Sequence, residues 1–279
     1  VYEQGLTLLG LTSEDRTEPF EGSTGVTHPV LNEACTQFQA QAYKELLPAG
    51  GPVRSHILGK VTPEKEAQAD RVKNYLNYVI TEEMEEYDPD YDQMLYYLGY
   101  GGSSFKKVYY DGEFGRAVSP YVLPNDLIVP YGSRDLQTAD RVTHVLRVSP
   151  NELRKQQVSG FYRDIDLQDP VQTLRDEIED KVDRITGIEP GSDPHDYRLF
   201  EIHTNLDLEG FEDLDEDDEP TGVKLPYIVT LNADTGDILA IRRNYRADDP
   251  KRRKRQFFVH YKFLPGPVSQ LDLDPTPAD

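Results

Sequence analysis

The chain has 279 residues, 37% of them hydrophobic, with 51 acidic side chains against 30 basic ones and a formal charge of −21. That length supports a sizeable core in one large domain or two small ones, and so acidic a chain does not coat DNA, because phosphate affinity comes from basic groups that displace counterions. No apolar run approaches the ~20 residues that span a bilayer, and the single cysteine, Cys35, excludes an internal disulfide and fits a reducing compartment.

The opening VYEQGLTLLGLTSEDR lacks the basic n-region and long apolar core of a secretory signal. Thr27-His28-Pro29 opens a helix that runs to about Leu47 and stops at Gly50-Gly51. Cys35 lies on its apolar side and reads as a buried structural thiol. A catalytic cysteine needs a histidine partner, and nothing designates one. A strand is expected at 53–58. Thr62-Pro63-Glu64 then opens a second helix, with Val72, Tyr75, Leu76, Val79 and Ile80 at the spacing of one buried face. Val72, Leu76, Val79 and Ile80 are expected to pack against the strands that follow.

The stretch YDQMLYYLGYGGSSFKKVYYDGEFGRAVSPYVLPNDLIVPYGSR, Tyr91 to Arg134, starts as an apolar-periodic helix and ends it at Gly99, Gly101 and Gly102. These glycines are not a phosphate loop. No G-K-[ST] follows, and they precede a strand instead of the helix whose N-terminus would hold the anion. Strands are expected at 105–110, 114–122 and 126–131, broken by Pro120, Pro124 and Pro130.

Another strand is expected at 141–148. Ser149-Pro150-Asn151-Glu152 forms a capping box with proline at the first helical position. Asp169-Pro170 opens a helix with Val171, Leu174, Ile178, Val182 and Ile185 on one stripe, ending at Gly187. Strands at 197–206, 225–231, 238–245 and 257–263 complete the chain. The clearest hairpin, 225–242, turns through Asn232-Ala233-Asp234-Thr235-Gly236-Asp237. Asp249-Pro250 opens a short, basic helical turn.

Helices and strands do not alternate regularly, so the fold class is α+β, with mixed or antiparallel sheets packed by several amphipathic helices. The linker IEPGSDPH at 188–195 divides a helix-rich part, 1–187, from a β-rich part, 188–264. The proline-rich segment 265–279 has no core pattern and reads as a disordered tail. The 18 tyrosines, beside no tryptophan, suit subunit interfaces as well as the packing of an ordinary sheet.

Two charged clusters stand out. In DLEGFEDLDEDDEP, Asp213, Asp215 and Asp217 have the 1-3-5 spacing of a calcium loop. Asp218 occupies the place of the turn glycine and Lys224 that of the bidentate glutamate, so a solvated acidic loop is expected. The run RRNYRADDPKRRKR ends in Lys251, Arg252, Arg253, Lys254 and Arg255. In so acidic a chain its first use is charge pairing, within or between subunits, ahead of partner or DNA contact. Those five cations, with Asp213, Asp215, Asp217 and Asp218, are the candidate inter-subunit or partner contacts. The six histidines show no metal-ligand spacing, and no G-x-S-x-G, H-R-D or dinucleotide fingerprint occurs. No catalytic residue, metal or cofactor is therefore expected.

Six stretches, RTEPFEGSTGVTHPVLNEACTQFQAQAYKELLP, ADRVKNYLNYVITEEM, YGGSSFKKVYYDG, YVLPNDLIVPYGS, LPYIVTLNADTGDILAIRRNYR and RQFFVHYKFLPG, resemble bacteriophage portal proteins in content, order and spacing. The resemblance runs from about Glu18 to Gly266. It implies a portal-wing-like fold and a structural role in a ring, commonly of twelve subunits, at one capsid vertex. The implied partners are other portal subunits, capsid and head-tail adaptor proteins, the terminase, and double-stranded DNA passing through the ring, with no membrane. The implied location is the virion, after assembly in the host cytoplasm. Pro267 to Asp279 bears no likeness to the family's continuation into stem and clip, so the resemblance covers the N-terminal wing region. Without those segments the chain alone is expected to be monomeric or weakly associated. A net acidic ring also suits DNA passage, because it does not grip phosphates. Two other readings compete: an acidic binding module recruiting a basic partner through Asp207–Glu219, and a metal-dependent nuclease or hydrolase.

Overall fold

The structure, a computed structural model, describes residues 8–9, 20, 28–112, 114–168, 196–214 and 219–263. The expected helix at 169–187, the linker at 188–195 and the tail at 265–279 lie outside these residues. The fold is α+β, with helices packed beside antiparallel sheets. It divides into two compact units, Val1–Val122 with Phe257–Pro265, and Leu123–Gln256 with Gly266–Asp279.

In the first unit, α1 (Val30–Leu46) and α3 (Tyr87–Gly101) pack together. Tyr91, Met94, Leu95 and Leu98 of α3 form the core, with Phe38, Ala42 and Tyr43 of α1 against it. Close approach is allowed by Gly99, where an added Cβ would lie 3.0 Å from the Phe38 ring. Cys35 is buried in the same place, and burial raises its thiol pKa. Gly102, at φ +73°, ends α3 in the left-handed conformation that glycine adopts without strain. The chain then enters β1 (Ser103–Lys107) directly, as the rejection of a phosphate loop required.

β1 is the centre of a three-stranded antiparallel sheet, between β4 (Tyr121–Val122) and β10 (Phe258–Lys262). β2 (Tyr109–Asp111) and β3 (Arg116–Val118) form a separate hairpin. The expected strand at 53–58 is not a strand. There the Asn77 side chain substitutes for a strand partner, accepting from the Val53 amide at 2.9 Å and donating to its carbonyl at 3.3 Å.

Asn77 belongs to α2 (Pro63–Tyr78), which Thr62 caps by accepting from the Lys65 amide. A π-helical turn, Val79–Glu83, follows. The expected buried face is absent: no residue of α2 is buried, and Val72, Tyr75 and Leu76 are 49%, 63% and 40% exposed. Val79 and Ile80 are only half-buried.

The second unit is built on an antiparallel sheet ordered β5-β6-β7-β8-β9. These strands are β5 (Leu127–Ile128), β6 (Arg141–Val148), β7 (Tyr197–Leu206), β8 (Leu225–Asn232) and β9 (Ile238–Arg243). β6 pairs with β7 along its whole length, from Arg141 opposite Thr204 to Val148 opposite Tyr197. The units therefore do not follow the division expected at 187/188, because strands on both sides of it share one ladder. One sheet face packs Leu146, Val148, Tyr197, Leu199, Leu239 and Ala240 against Leu153 of α4 (Pro150–Val158) and Tyr162. Ser149 caps α4 by accepting from the Glu152 amide, as its sequence anticipates. The β8–β9 turn is held by Asn232, whose carbonyl accepts from the Gly236 amide and whose side chain accepts from the Asp234 amide, both at 2.9 Å.

Candidate interaction surface

The basic run and the acidic loop both belong to the second unit. After β9 the chain passes Asn244, whose amide donates to the Pro226 carbonyl at 2.9 Å, and reaches Asp249. The expected helical turn is a single hydrogen-bonded turn. Asp249 accepts from the amides of Lys251 and Arg253 and from Arg253 Nε at 2.9 Å. The Arg253 hydrogen bond holds the Asp249 carboxyl below its usual range. With the carboxylate taking these amides, Arg252 adopts φ 45°, and the chain leaves the turn extended.

Exposure then alternates as in a strand. Lys251, Arg253 and Arg255 are exposed, whereas Arg252 and Lys254 turn inward. Lys254 Nζ donates to the Ala139 carbonyl at 3.0 Å, and burial lowers its pKa against the opposing charge of Asp140. Arg252 pairs with Asp213 Oδ1. The other Asp213 oxygen accepts from Thr221 Oγ1 at 2.8 Å, while the Asp213 carbonyl accepts from the Thr221 amide at 2.8 Å. A bridge between Leu214 and Pro220 closes the same loop, and Tyr227 donates from its hydroxyl to the Phe211 carbonyl at 3.2 Å.

Charge pairing is thus the use the chain makes of Arg252 and Asp213. The pair fastens the acidic loop to the strand leaving the hairpin. Both side chains are partly exposed, so the ion pair contributes ~0–1 kcal/mol. Of the other sequence-designated residues, Asp215, Asp217 and Asp218 lie outside the described residues. Lys251, Arg253 and Arg255 remain at the surface, where a partner can reach them.

One strongly perturbed group is one that sequence reasoning did not single out. Lys106, in the middle of β1, is 1% exposed. Its ammonium has no hydrogen-bond partner among the described residues, and stands 4.2 Å from the Tyr87 ring and 5.3 Å from the Tyr91 ring. Burial pulls its pKa down to about 8, opposed by the nearby charges of Asp90 and Glu86. Both carboxylates are already engaged: Glu86 takes Arg116 in a two-pronged pair at 2.7 and 2.8 Å, and Asp90 accepts from the Tyr121 amide at 3.0 Å. The available signal was the position of Lys106 in a central strand, where both faces are covered and period-2 alternation gives no outward side.

On the same sheet, His260 stacks on Phe105 with ring centroids 4.6 Å apart, and its Nε2 lies 3.2 Å from Ser103 Oγ. Burial lowers its pKa to about 4. His203 and Glu201 meet at 2.7 Å on β7. Among the described residues no group of three or more His, Cys, Asp or Glu side chains converges as a metal ligand set. No described helix is long and apolar enough to cross a membrane. A comparison with protein-family models and one with curated proteins each return no match.

Proposed function

We propose that the chain is a structural subunit of a viral portal ring, its wing region, serving genome packaging and ejection at one capsid vertex. The observation that carries the reading is the meeting in one sheet of three family-like stretches, two of them near neighbours in sequence and the third more than a hundred residues further on. YGGSSFKKVYYDG supplies β1, YVLPNDLIVPYGS supplies β4 and RQFFVHYKFLPG supplies β10, with β1 between the other two. Segments that resemble one family in order also depend on one another in space, as parts of one domain do. The exposed apolar face of α2 is a second support, since assembly subunits keep such faces for neighbours. The acidic-module reading draws less support, because Asp213 is engaged by the chain's own Arg252 and Thr221. In the portal reading the chain carries out no catalysis. Gold-labelled antibodies against it, applied to particles of the phage that encodes it, test the proposal. Label at a single vertex per particle is expected, and label spread over all vertices or absent from particles overturns it.

A further inference from the structure

The segment from Leu58 to Tyr78 leaves six large apolar side chains exposed: Leu58, Val61, Val72, Tyr75, Leu76 and Tyr78. On α2 three of them, Val72, Tyr75 and Leu76, follow helical spacing and make a continuous stripe. A helix of this length has marginal stability in water without a packed face. Here its ties within the unit include the Asn77 clamp on Val53 and the π-helical turn that follows. A shallow cleft of about 480 Å³, lined in part by Ile57, Val61 and Ala69, adjoins the first turns of α2.

Charge says what can cover this face. Residues 58–78 carry Lys60, Lys65, Arg71 and Lys73 against Glu64, Glu66 and Asp70, a net charge of +1. The chain as a whole carries −21, so its remainder carries −22. The segment is a weakly basic, apolar stretch in an acidic protein, and the net charge of another copy has the opposite sign. Its exposed apolar side chains amount to roughly 600 Å², close to the ~800 Å² per partner of a standard interface.

We infer that the 58–78 face, centred on Val72, Tyr75 and Leu76, docks onto the acidic surface of a second copy of this chain. The contact is heterologous: each copy offers the α2 face and receives its neighbour's on a different surface, as a closed ring requires. In this head-to-tail character the inference rests on the ring reading. The contact between copies stands on the exposed stripe and its charge.

Photo-crosslinking of the full chain tests it, with benzoylphenylalanine in place of Tyr75 in one variant and in place of the equally exposed Tyr110 in another. A homo-crosslinked species from position 75 and none from position 110 is expected. Adding Leu76→Asp should abolish that species while leaving the urea midpoint unchanged, because the side chain is exposed within the chain. Failure to crosslink at position 75, equal crosslinking at 110, or survival of the species with Leu76→Asp overturns the inference. The vertex label separates the two proposals. Label at one vertex without homo-crosslinks from position 75 overturns the interface alone. Homo-crosslinks without vertex label overturn the portal reading alone.

Discussion

Two successive helices, α2 with 16 residues and α3 with 15, meet opposite fates. Both carry apolar side chains at helical spacing. α3 buries Tyr91, Met94, Leu95 and Leu98, while α2 buries nothing. The difference lies in what the chain folds against each. α3 has α1 on one side and the β10-β1-β4 sheet beneath it, whereas α2 is followed by a π-helical turn and has no sheet of its own. Periodicity identifies a face that needs covering, and the topology decides whether the same chain supplies the cover.

The contrast breaks most directly at Leu95, which is fully buried. Leu95→Ala should cost ~2–5 kcal/mol in urea unfolding, through lost transfer energy and a cavity. A cost near zero would mean that α3 is no better packed than α2.

Lys106 sharpens the comparison from beneath α3. Its folded pKa, about 8, lies below the unfolded value of 10.5. Between those values the unfolded chain holds a proton that the folded chain has released, so stability rises with pH across that window. The rise is on the order of 3 kcal/mol. The tyrosines act in the opposite sense at higher pH. Burial pushes Tyr87 up to about 12, so above the ordinary value of 10 the unfolded chain loses a proton that the folded chain keeps, and stability falls. Melting temperature should therefore peak near pH 10, and Lys106→Met should raise stability at pH 7 and remove the rise. An unchanged pH profile in Lys106→Met would show that the amine is not buried in solution.

His260 sets the acid side. Its folded pKa, about 4, is below the usual 6.5, so unfolding takes up a proton as the solution becomes more acidic than 6.5. Stability should fall between pH 6.5 and 4, by on the order of 3 kcal/mol from this group. His260→Phe should shallow that part of a melting-temperature profile, and an identical slope in both proteins would assign the loss to carboxylates.

The smallest effect belongs to α2. Leu76→Ala in the dissociated chain should change stability by less than ~0.5 kcal/mol, as for other exposed sites. A loss of several kcal/mol would place Leu76 in a core and remove the contrast with α3.

The strands were the most legible part of this chain. β6 and β7 occupy the residues expected from alternation, and the hairpin of β8 and β9 turns where the glycine-containing loop stands. The caps at Thr62 and Ser149 were equally plain, because a local hydrogen bond needs only local sequence. What failed was non-local. The segment at 53–58 looked like a strand, and Asn77, far along the chain, took the partner's role. The Leu76 face looked internal, because periodicity marks an apolar stripe without saying what the rest of the chain packs against it. The basic run looked like one patch, yet alternating exposure turned Arg252 and Lys254 inward and left their neighbours outside. Lys106 was hidden for a related reason, since a lysine in a strand is ordinarily read as the solvent side.

The pairing of β10 with β1 has a further consequence, for the order of events during synthesis. The first unit is discontinuous, because β10 joins it from beyond Gln256, after the whole described sheet of the second unit has been made. At ~5–20 residues per second, β1 leaves the ribosome roughly ten to thirty seconds before β10. During that interval β1 has one ladder edge open to any passing strand. The charges of Lys106 and Lys107 on the waiting strand oppose such pairing. Maturation of the first unit is therefore timed by translation of its last strand, while the β5–β9 sheet can close as soon as its own residues emerge.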